Sequence, residues 1–198
     1  AMQIKKFEHM RKQCVGAGFT NVLFHASATS GTLQCPEAHY DMVRIGIGMY
    51  GYFPSQELAR NHGALNLHPA LQWKSIVTEV RMIASGAYIG YDCSERVGRN
   101  TKLAIVPIGY WHGFDRRLSR VGSVLIRGRR AKVLGRVSMD MIVVDSTNIP
   151  HAGVGDEVTI IGRSGNIEQT AYDIADDIQT SHYEVITRIN PLIERIAV

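Results

Sequence analysis

The chain has 198 residues, 45% of them hydrophobic, and 22 Lys and Arg against 18 Asp and Glu give a formal net charge of +4. That length holds one large domain or one domain plus part of another, and the composition is ordinary for a soluble globular protein. No segment approaches the ~18 uninterrupted apolar residues of a membrane helix, and the first residues lack the apolar stretch of a signal peptide. We therefore expect neither a membrane anchor nor export.

The cysteines and histidines are too scattered to predict a disulfide framework or a metal site. Cys14, Cys35 and Cys93 are odd in number, far apart and in no CxxC arrangement, which favours a reducing, cytoplasmic location. His112 and His182 have no second His or Cys at ligand spacing. We therefore predict no metal.

The densest group of positive residues lies on a predicted hairpin and contains Arg127, Arg129, Arg130 and Lys132. A nucleic-acid patch is one interpretation, but the positive residues form no long run, so a solvated hairpin face is favoured. We predict no nucleic-acid partner.

The first 52 residues alternate between helix and strand patterns. Residues 2–17 have the apolar spacing of an amphipathic helix, residues 22–25 form a predicted strand, residues 30–33 a short helix and residues 42–48 a second strand. This alternation is typical of an α/β barrel or a parallel sheet. Two strands cannot close a barrel, so we interpret residues 1–52 as the remnant of a larger domain whose beginning lies outside this chain.

After a polar stretch at residues 53–70, which we predict to be a linker, the periodicity of the apolar residues changes to two. The predicted short strands are residues 71–84, 103–108, 122–126, 132–134, 141–145 and 157–161. A helix at residues 170–179, with Thr170 as its cap, and a last strand at residues 183–189 complete the chain. The pattern predicts that residues 71–198 form a mainly β domain, an antiparallel barrel or sandwich with one helix.

Arg44 is the first candidate for chemistry, because it is the one charge in an apolar predicted strand. A buried guanidinium needs a partner, which is either a structural ion pair or a ligand at the mouth of the barrel. Gly46 and Ile47 follow, and a glycine there lets backbone amides approach an anion closely. The turn at Thr29 offers hydroxyl and amide donors of the same kind.

Tyr91 lies in a loop after a predicted strand, where most tyrosines are half-buried packing residues. A tyrosine that acts as acid or base must lose its proton nearer neutrality, which requires positive charge close by. Arg116 and Arg136, in two polar clusters that follow strands, are candidates for that charge. Tyr183 is by default a core or rim residue.

Taken together, these segments resemble the second half of a bacterial alanine racemase. The motifs that carry the resemblance, in chain order, are HASATSGTL, PEAHYDMVRIGIGMYGYFPS, YIGYDCS, PIGYWHGFDRRLS, VLGRVSMDM, GDEVTIIG and SHYEV. The resemblance covers nearly the whole chain. It implies the end of a truncated (β/α)8 TIM barrel that binds pyridoxal 5′-phosphate, followed by a C-terminal β-domain, in a head-to-tail homodimer whose sites are completed by the partner's β-domain.

The resemblance also implies roles for individual residues. Arg44 would donate to the pyridine nitrogen of the cofactor. The residues that would bind its phosphate are Thr29, Gly46, Ile47 and Tyr183. Tyr91 would be the base on one face of the substrate α-carbon, and the Met139 backbone amide would help to hold the substrate carboxylate. The residues that would line the corridor to the site are Tyr110, Arg116, Arg136 and Asp140.

Two departures from the family pattern matter. Relatives usually have Ala and Asp where this chain has Trp111 and His112. The size of the substrate, or its entry to the site, is therefore open to differ from that of the typical family member. The family's Schiff-base lysine lies upstream of residue 1, so we expect the 198-residue chain alone not to racemise alanine. A purified sample that turned L-alanine into D-alanine would contradict this.

Three functions stay open from the sequence. The first is racemisation of alanine for peptidoglycan synthesis, and the second is racemisation of serine or another amino acid. The third, from a different class, is a non-catalytic β-domain used for dimerisation or binding.

Overall fold

The computed structural model describes residues 2–197, and the chain forms two compact units that divide after Ala70. The helices of the first unit are α1 (Met2–Gly16), α2 (Thr29–Gln34) and α3 (Gln56–Asn61). The predicted helices at residues 2–17 and 30–33 are confirmed. α3 lies within the predicted linker and begins at a cap, because the Ser55 hydroxyl accepts the Leu58 N–H at 3.2 Å.

The predicted strands at residues 22–25 and 42–48 are wrong as regular strands, although the two segments run side by side. The Asp41 N–H donates to the Phe24 carbonyl at 3.1 Å, the Arg44 N–H donates to the Ser27 carbonyl at 2.9 Å, and Ala28 and Arg44 form one parallel bridge. Within residues 2–197 no third segment pairs with either one. A strand paired on one side by a few bonds leaves most of its backbone groups outside a ladder, which explains the irregular geometry.

The second unit is built on antiparallel strands. They are β1 (Trp73–Ile76), β2 (Glu79–Ile83), β3 (Tyr88–Ile89), β4 (Glu95–Arg96), β5 (Thr101–Val106), β6 (Ser123–Ile126), β7 (Arg129–Leu134), β8 (Ile142–Asp145), β9 (Glu157–Ser164) and β10 (Ile167–Gln169). The main sheet has the order β1-β9-β6-β7-β8-β5-β2, with β10 beside β9, and β3 and β4 form a separate hairpin. The predicted mainly antiparallel β-domain is confirmed.

The predicted strand at residues 71–84 is two strands, and this break closes the sheet. β1 pairs with β9, and β2 pairs with β5 at the opposite end of the strand order. Between them, the Val77 N–H donates to the Asp156 carbonyl and the Thr78 N–H donates to the Ile105 carbonyl, each at 2.9 Å. The chain therefore passes from one end of the sheet to the other within two residues, as a closed barrel requires.

The barrel interior is apolar. The residues with less than 2% exposure include Val77, Ala104, Val106, Val124, Leu125, Ile126, Ala131, Val133, Ile142, Val144, Val158, Ile160 and Ile161. Burial of this side-chain set is the main source of the unit's stability.

The basic hairpin between β6 and β7 has internal partners. The Arg127 guanidinium forms two bonds of 2.6 Å to the Asp156 carboxylate, Arg129 donates to a backbone carbonyl at 3.1 Å, and Arg130 donates to Gln169 Oε1 at 2.7 Å. These bonds give the arginines a structural role on the hairpin face.

Two helices, where one was predicted, follow the sheet: α4 (Ala171–Asp177) and α5 (His182–Thr187). The predicted cap of α4 is confirmed, because Thr170 Oγ1 accepts the Asp173 N–H at 3.3 Å. The predicted strand at residues 183–189 is wrong, since most of it is α5, whose N–H at Tyr183 is capped by Ser181 Oγ. Among the helices of residues 2–197, none has the length and apolarity to cross a bilayer.

Candidate active site

In the first unit, the predicted phosphate-binding residues lie together where the two paired segments meet. Thr29 is buried and its Oγ1 accepts the Gly46 N–H at 3.1 Å. A side chain added at Gly46 would meet no atom within 4 Å, so the space in front of this backbone is open. Ile47 is buried, and among residues 2–197 its N–H has no acceptor. The group offers a hydroxyl and an amide donor beside open space.

Arg44 is exposed, so the expectation of a buried charge is wrong. Its backbone is fixed by the bond to the Ser27 carbonyl and by the bridge to Ala28, two residues before Gly46. Within the described residues the guanidinium has no ion-pair partner. Its five donors are therefore available to a ligand.

In the second unit, Tyr91 is at the tip of the β3–β4 hairpin, and its side chain is 68% exposed. The next two residues, Asp92 and Cys93, have left-handed backbones with φ of 59° and 48°. Such a turn is unfavourable for residues other than glycine, and it occurs where the surrounding structure holds it. Nothing about the packing of the barrel requires an exposed tyrosine here.

The Tyr91 hairpin is held against the loop that follows β7. The Gly135 N–H donates to the Glu95 carboxylate at 2.5 Å, and the Arg136 guanidinium pairs with the Asp92 carboxylate. A side chain added at Gly90 would lie 3.2 Å from the Arg136 nitrogen and 3.4 Å from Gly135 Cα, so the two backbones are in close contact. The structure thus brings Arg136 to the hairpin that carries Tyr91.

A second loop pair carries Tyr110 and Met139. The Tyr110 N–H donates to the Ser138 carbonyl and the Trp111 N–H to the Met139 carbonyl, both at 3.0 Å. A side chain added at Gly109 would come within 2.3 Å of both carbonyl oxygens, so only glycine fits there. Met139 and the adjacent Asp140 are exposed.

Tyr110 and Arg116 line an open depression of about 610 Å³ together with Gly113, Asp115 and Arg188. Asp115 accepts from Arg117 and Arg188, each at 2.8 Å. The hydrogen bond from Arg117 is the main reason that the pKa of the Asp115 carboxyl is below its usual value, with Arg188 adding to the effect. Sequence reasoning missed Asp115 and Arg188.

Tyr183 is in the first turn of α5 and is 41% exposed. Burial raises the pKa of its hydroxyl, which keeps the group protonated and able to donate a hydrogen bond. α5 is tied to the depression through the Arg188 guanidinium. It forms one ion pair with Glu184 of α5 at 2.5 Å and a second with Asp115 at 2.8 Å.

No three His, Cys, Asp or Glu side chains gather as a metal site in the part of the chain that the structure describes. The three thiols, of Cys14, Cys35 and Cys93, are free.

The second unit is a closed antiparallel β-barrel domain whose loops display exposed tyrosines and arginines. Two sequence profiles match the chain: "Alanine racemase, C-terminal domain" over residues 70–197 and "Alanine racemase, N-terminal domain" over residues 1–54. The chain belongs to the alanine racemase family.

Similar proteins cover both units. The alanine racemase of Leptospira interrogans serovar copenhageni is 43% identical over 100% of this chain and 52% of its own length. That of Symbiobacterium thermophilum is 38% identical over 98% of this chain and 51% of its own. The chain thus spans about half the length of the curated relatives it matches.

Solved structures agree with the sequence comparison. Alanine racemase from Bacillus anthracis with bound L-Ala-P has a TM-score of 0.87 and 32% identity over 95% of this chain and 48% of its own. Alanine racemase from Bartonella henselae with covalently bound pyridoxal phosphate has a TM-score of 0.81 and 27% identity over 100% of this chain and 52% of its own.

Proposed function

We propose that this chain is the C-terminal part of an alanine racemase. Such an enzyme uses pyridoxal 5′-phosphate to interconvert L- and D-alanine, here for peptidoglycan synthesis in the cytoplasm. The observation that carries the proposal is the presence of two groups of side chains, one in each unit, in one member of the family. One group, around Thr29 and Gly46, has donors suited to a phosphate. The other displays Tyr91 beside the Arg136 loop.

The residues of the first unit fit the cofactor. The hydroxyl of Thr29, the backbone of Gly46 and the amide of Ile47 would bind the phosphate. From the second unit, the family resemblance assigns the protonated hydroxyl of Tyr183 to the same phosphate. Bound pyridoxal phosphate supplies an electron sink for the charge that develops at the substrate α-carbon. Arg44 would donate to its pyridine nitrogen, and because a guanidinium stays protonated, it gives that nitrogen no proton. Without that proton the cofactor ring would withdraw less electron density from the substrate, which would restrict side reactions.

Racemisation requires proton removal on one face of the α-carbon and delivery on the other. Tyr91 would serve one face, in the site of the partner subunit of a homodimer. Its exposed position at the tip of a hairpin suits contact with a second chain. The hairpin's backbone is fixed through Gly135 and Arg136, which would hold the backbone of Tyr91 in place.

The remaining candidates would bind and admit the substrate. The Met139 amide would hold the amino-acid carboxylate, and Asp140 lies beside it. Tyr110 and Arg116 line the depression and would form a corridor with Arg136. These residues orient a small zwitterion rather than react with it.

Replacement of Tyr91 by Phe in the intact native protein tests the proposal. A lost general base lowers kcat by about 10²–10⁴-fold. The melting temperature should stay unchanged, because the side chain is 68% exposed. The measurements are circular dichroism of alanine turnover and NMR of α-proton exchange in D₂O, started from each enantiomer. One enantiomer should lose exchange more than the other.

Tyr88→Phe is the matched control, because Tyr88 is 59% exposed on the same hairpin. Its turnover should stay within about two-fold of native, since its hydroxyl is not assigned to a proton transfer. Equal turnover by native and Tyr91→Phe protein would overturn the assignment.

Trp111, which is 48% exposed on the turn beside Tyr110, departs from the family pattern and leaves serine or another amino acid open as the second candidate substrate. A turnover panel of alanine, serine and larger amino acids with the native protein separates these substrates. Absence of turnover with every amino acid would favour the non-catalytic binding domain.

A further inference from the structure

His112 is the third residue of the turn that carries Tyr110 and Trp111, and its side chain is half-buried. Its Nδ1 lies 3.1 Å from the backbone nitrogen of Gly109. That nitrogen carries a hydrogen and can only donate, so Nδ1 must present a lone pair. The imidazole is therefore neutral, with its proton on Nε2.

The bond closes a small ring at the start of the turn. A side chain at this position that accepts the first N–H is one half of a capping box, a role usually filled by Glu or Gln. Gly109 is buried, so without the imidazole its N–H loses its acceptor away from water. The other bonds that fix the turn have backbone acceptors: His112 N–H and Phe114 N–H donate to the Gly109 carbonyl at 3.0 and 3.1 Å.

This turn also fixes two carbonyl groups of the neighbouring loop. The Tyr110 N–H donates to the Ser138 carbonyl and the Trp111 N–H donates to the Met139 carbonyl, both at 3.0 Å. In a planar trans peptide the N–H points opposite to the C=O. The N–H groups of Met139 and of the next residue, Asp140, are therefore turned away from the turn.

Those two N–H groups have no acceptor among residues 2–197. Successive backbone N–H groups that face the same way form a concave anion site. Fixed donors of this kind bind a carboxylate without the cost of reorganisation.

We infer that His112 is a positioning residue, whose Nδ1 fixes the Gly109–Trp111 turn and thereby aims the Met139 N–H at the substrate carboxylate. The inference rests on the proposed function for the identity of the ligand. The tautomer of His112 and the rigidity of the turn do not depend on it.

NMR of the 15N-labelled 198-residue chain tests the structural half. The expected spectrum shows His112 with an unprotonated Nδ1 and a protonated Nε2. His112→Ala should speed hydrogen exchange of the Tyr110 and Trp111 amides about ten-fold, the effect of one lost hydrogen bond to a buried donor. His112→Gln should restore slow exchange, because its side chain carries an acceptor of suitable reach.

His151→Asn is the matched control, because His151 is exposed and has a left-handed backbone that Asn tolerates. It should leave both amides unchanged. A proton on Nδ1 of His112, or unchanged exchange in His112→Ala, would overturn the inference.

Steady-state kinetics of the intact native protein test the functional half. His112→Ala should raise the KM for alanine about ten-fold with kcat within about two-fold, since a carboxylate contact made equally in ground and transition state affects binding alone. His112→Gln should restore KM. A fall in kcat at constant KM would contradict the positioning role. If the native protein turns over no amino acid, the proposed function fails while the NMR result still decides the role of His112 in the turn.

Discussion

At the residue scale, the carboxylate of Asp115 joins two parts of the chain that lie far apart in sequence. It accepts bonds of 2.8 Å from its near neighbour Arg117 and from Arg188, 73 residues away. The side chain is only 15% exposed, so these bonds are partly shielded from water. A shielded carboxylate with two cationic donors contributes more than an exposed surface pair.

Replacement of Asp115 by Asn should lower the free energy of unfolding at pH 7 by about 1–3 kcal/mol, because two guanidinium groups lose their charged acceptor. The pKa of Asp115 is below its usual value in the folded chain, so its stabilisation is present above the unfolded pKa of about 3.9 and is lost as pH falls through the folded pKa. Urea titrations between neutral and acidic pH measure both effects.

Glu168→Gln provides the control, because its pair with Arg163 is exposed at 38% and 76%. Loss of an exposed pair should cost at most about 1 kcal/mol. The same acid-induced loss of stability in native and Asp115→Asn protein would show that other groups are responsible.

Sequence motifs nominate the residues of the candidate site, but they do not predict the surroundings of those residues. The apolar neighbours of Arg44 predict a buried strand, but Arg44 is exposed in a segment that pairs on one side only. The contact between Asp115 and Arg188 has no local signal, since no spacing rule links residues in a turn and a distant helix end. The acceptor role of His112 does have a local sequence signal, because His112 is the third residue of a turn that begins after Gly109.

At the element scale, helix ends depend on single hydroxyl groups. Thr170 and Asp173 bond each other reciprocally at the start of α4: the Asp173 N–H meets Thr170 Oγ1 at 3.3 Å, and the Thr170 N–H meets the Asp173 carboxylate at 2.7 Å. α4 has seven residues, too few to be stable from its own backbone bonds, so its cap matters.

Thr170→Ala should destabilise the chain by about 1 kcal/mol and lower its melting temperature by about 2–4 °C. Thr170→Ser keeps the hydroxyl and should stay close to native. Calorimetry of the three proteins makes the comparison, and an alanine variant as stable as the serine variant would show that the cap contributes nothing.

The same chemistry explains one wrong element. Residues 183–189 look like a strand from their apolar content, but Ser181 precedes them and Glu184 follows three positions later, the start signal of a helix. By contrast, β5, β6 and β8 were predictable because short apolar runs bounded by turns indicate strands. Where a cap and a hydrophobic pattern disagree, the cap decided the structure here.

At the scale of the whole molecule, the two units differ in how much apolar surface they bury. α1 has 15 residues and none of them is buried, and Met2 and Met10 are 70% and 57% exposed. In β6, Val124, Leu125 and Ile126 are all fully buried. Local stability follows buried apolar contacts, so the units should open at different free energies.

Hydrogen exchange followed by mass spectrometry should therefore show α1 exchanging at least about three orders of magnitude faster than β6 in the 198-residue chain. The comparison belongs at low micromolar concentration, because the exposed apolar side chains of α1 favour contact between copies. Protection of α1 that rises with concentration, alongside a larger mass by light scattering, would assign that surface to self-association. Protection of α1 equal to that of β6 at every concentration would contradict the idea that burial sets the order of opening, since no buried residue of α1 is available to account for it.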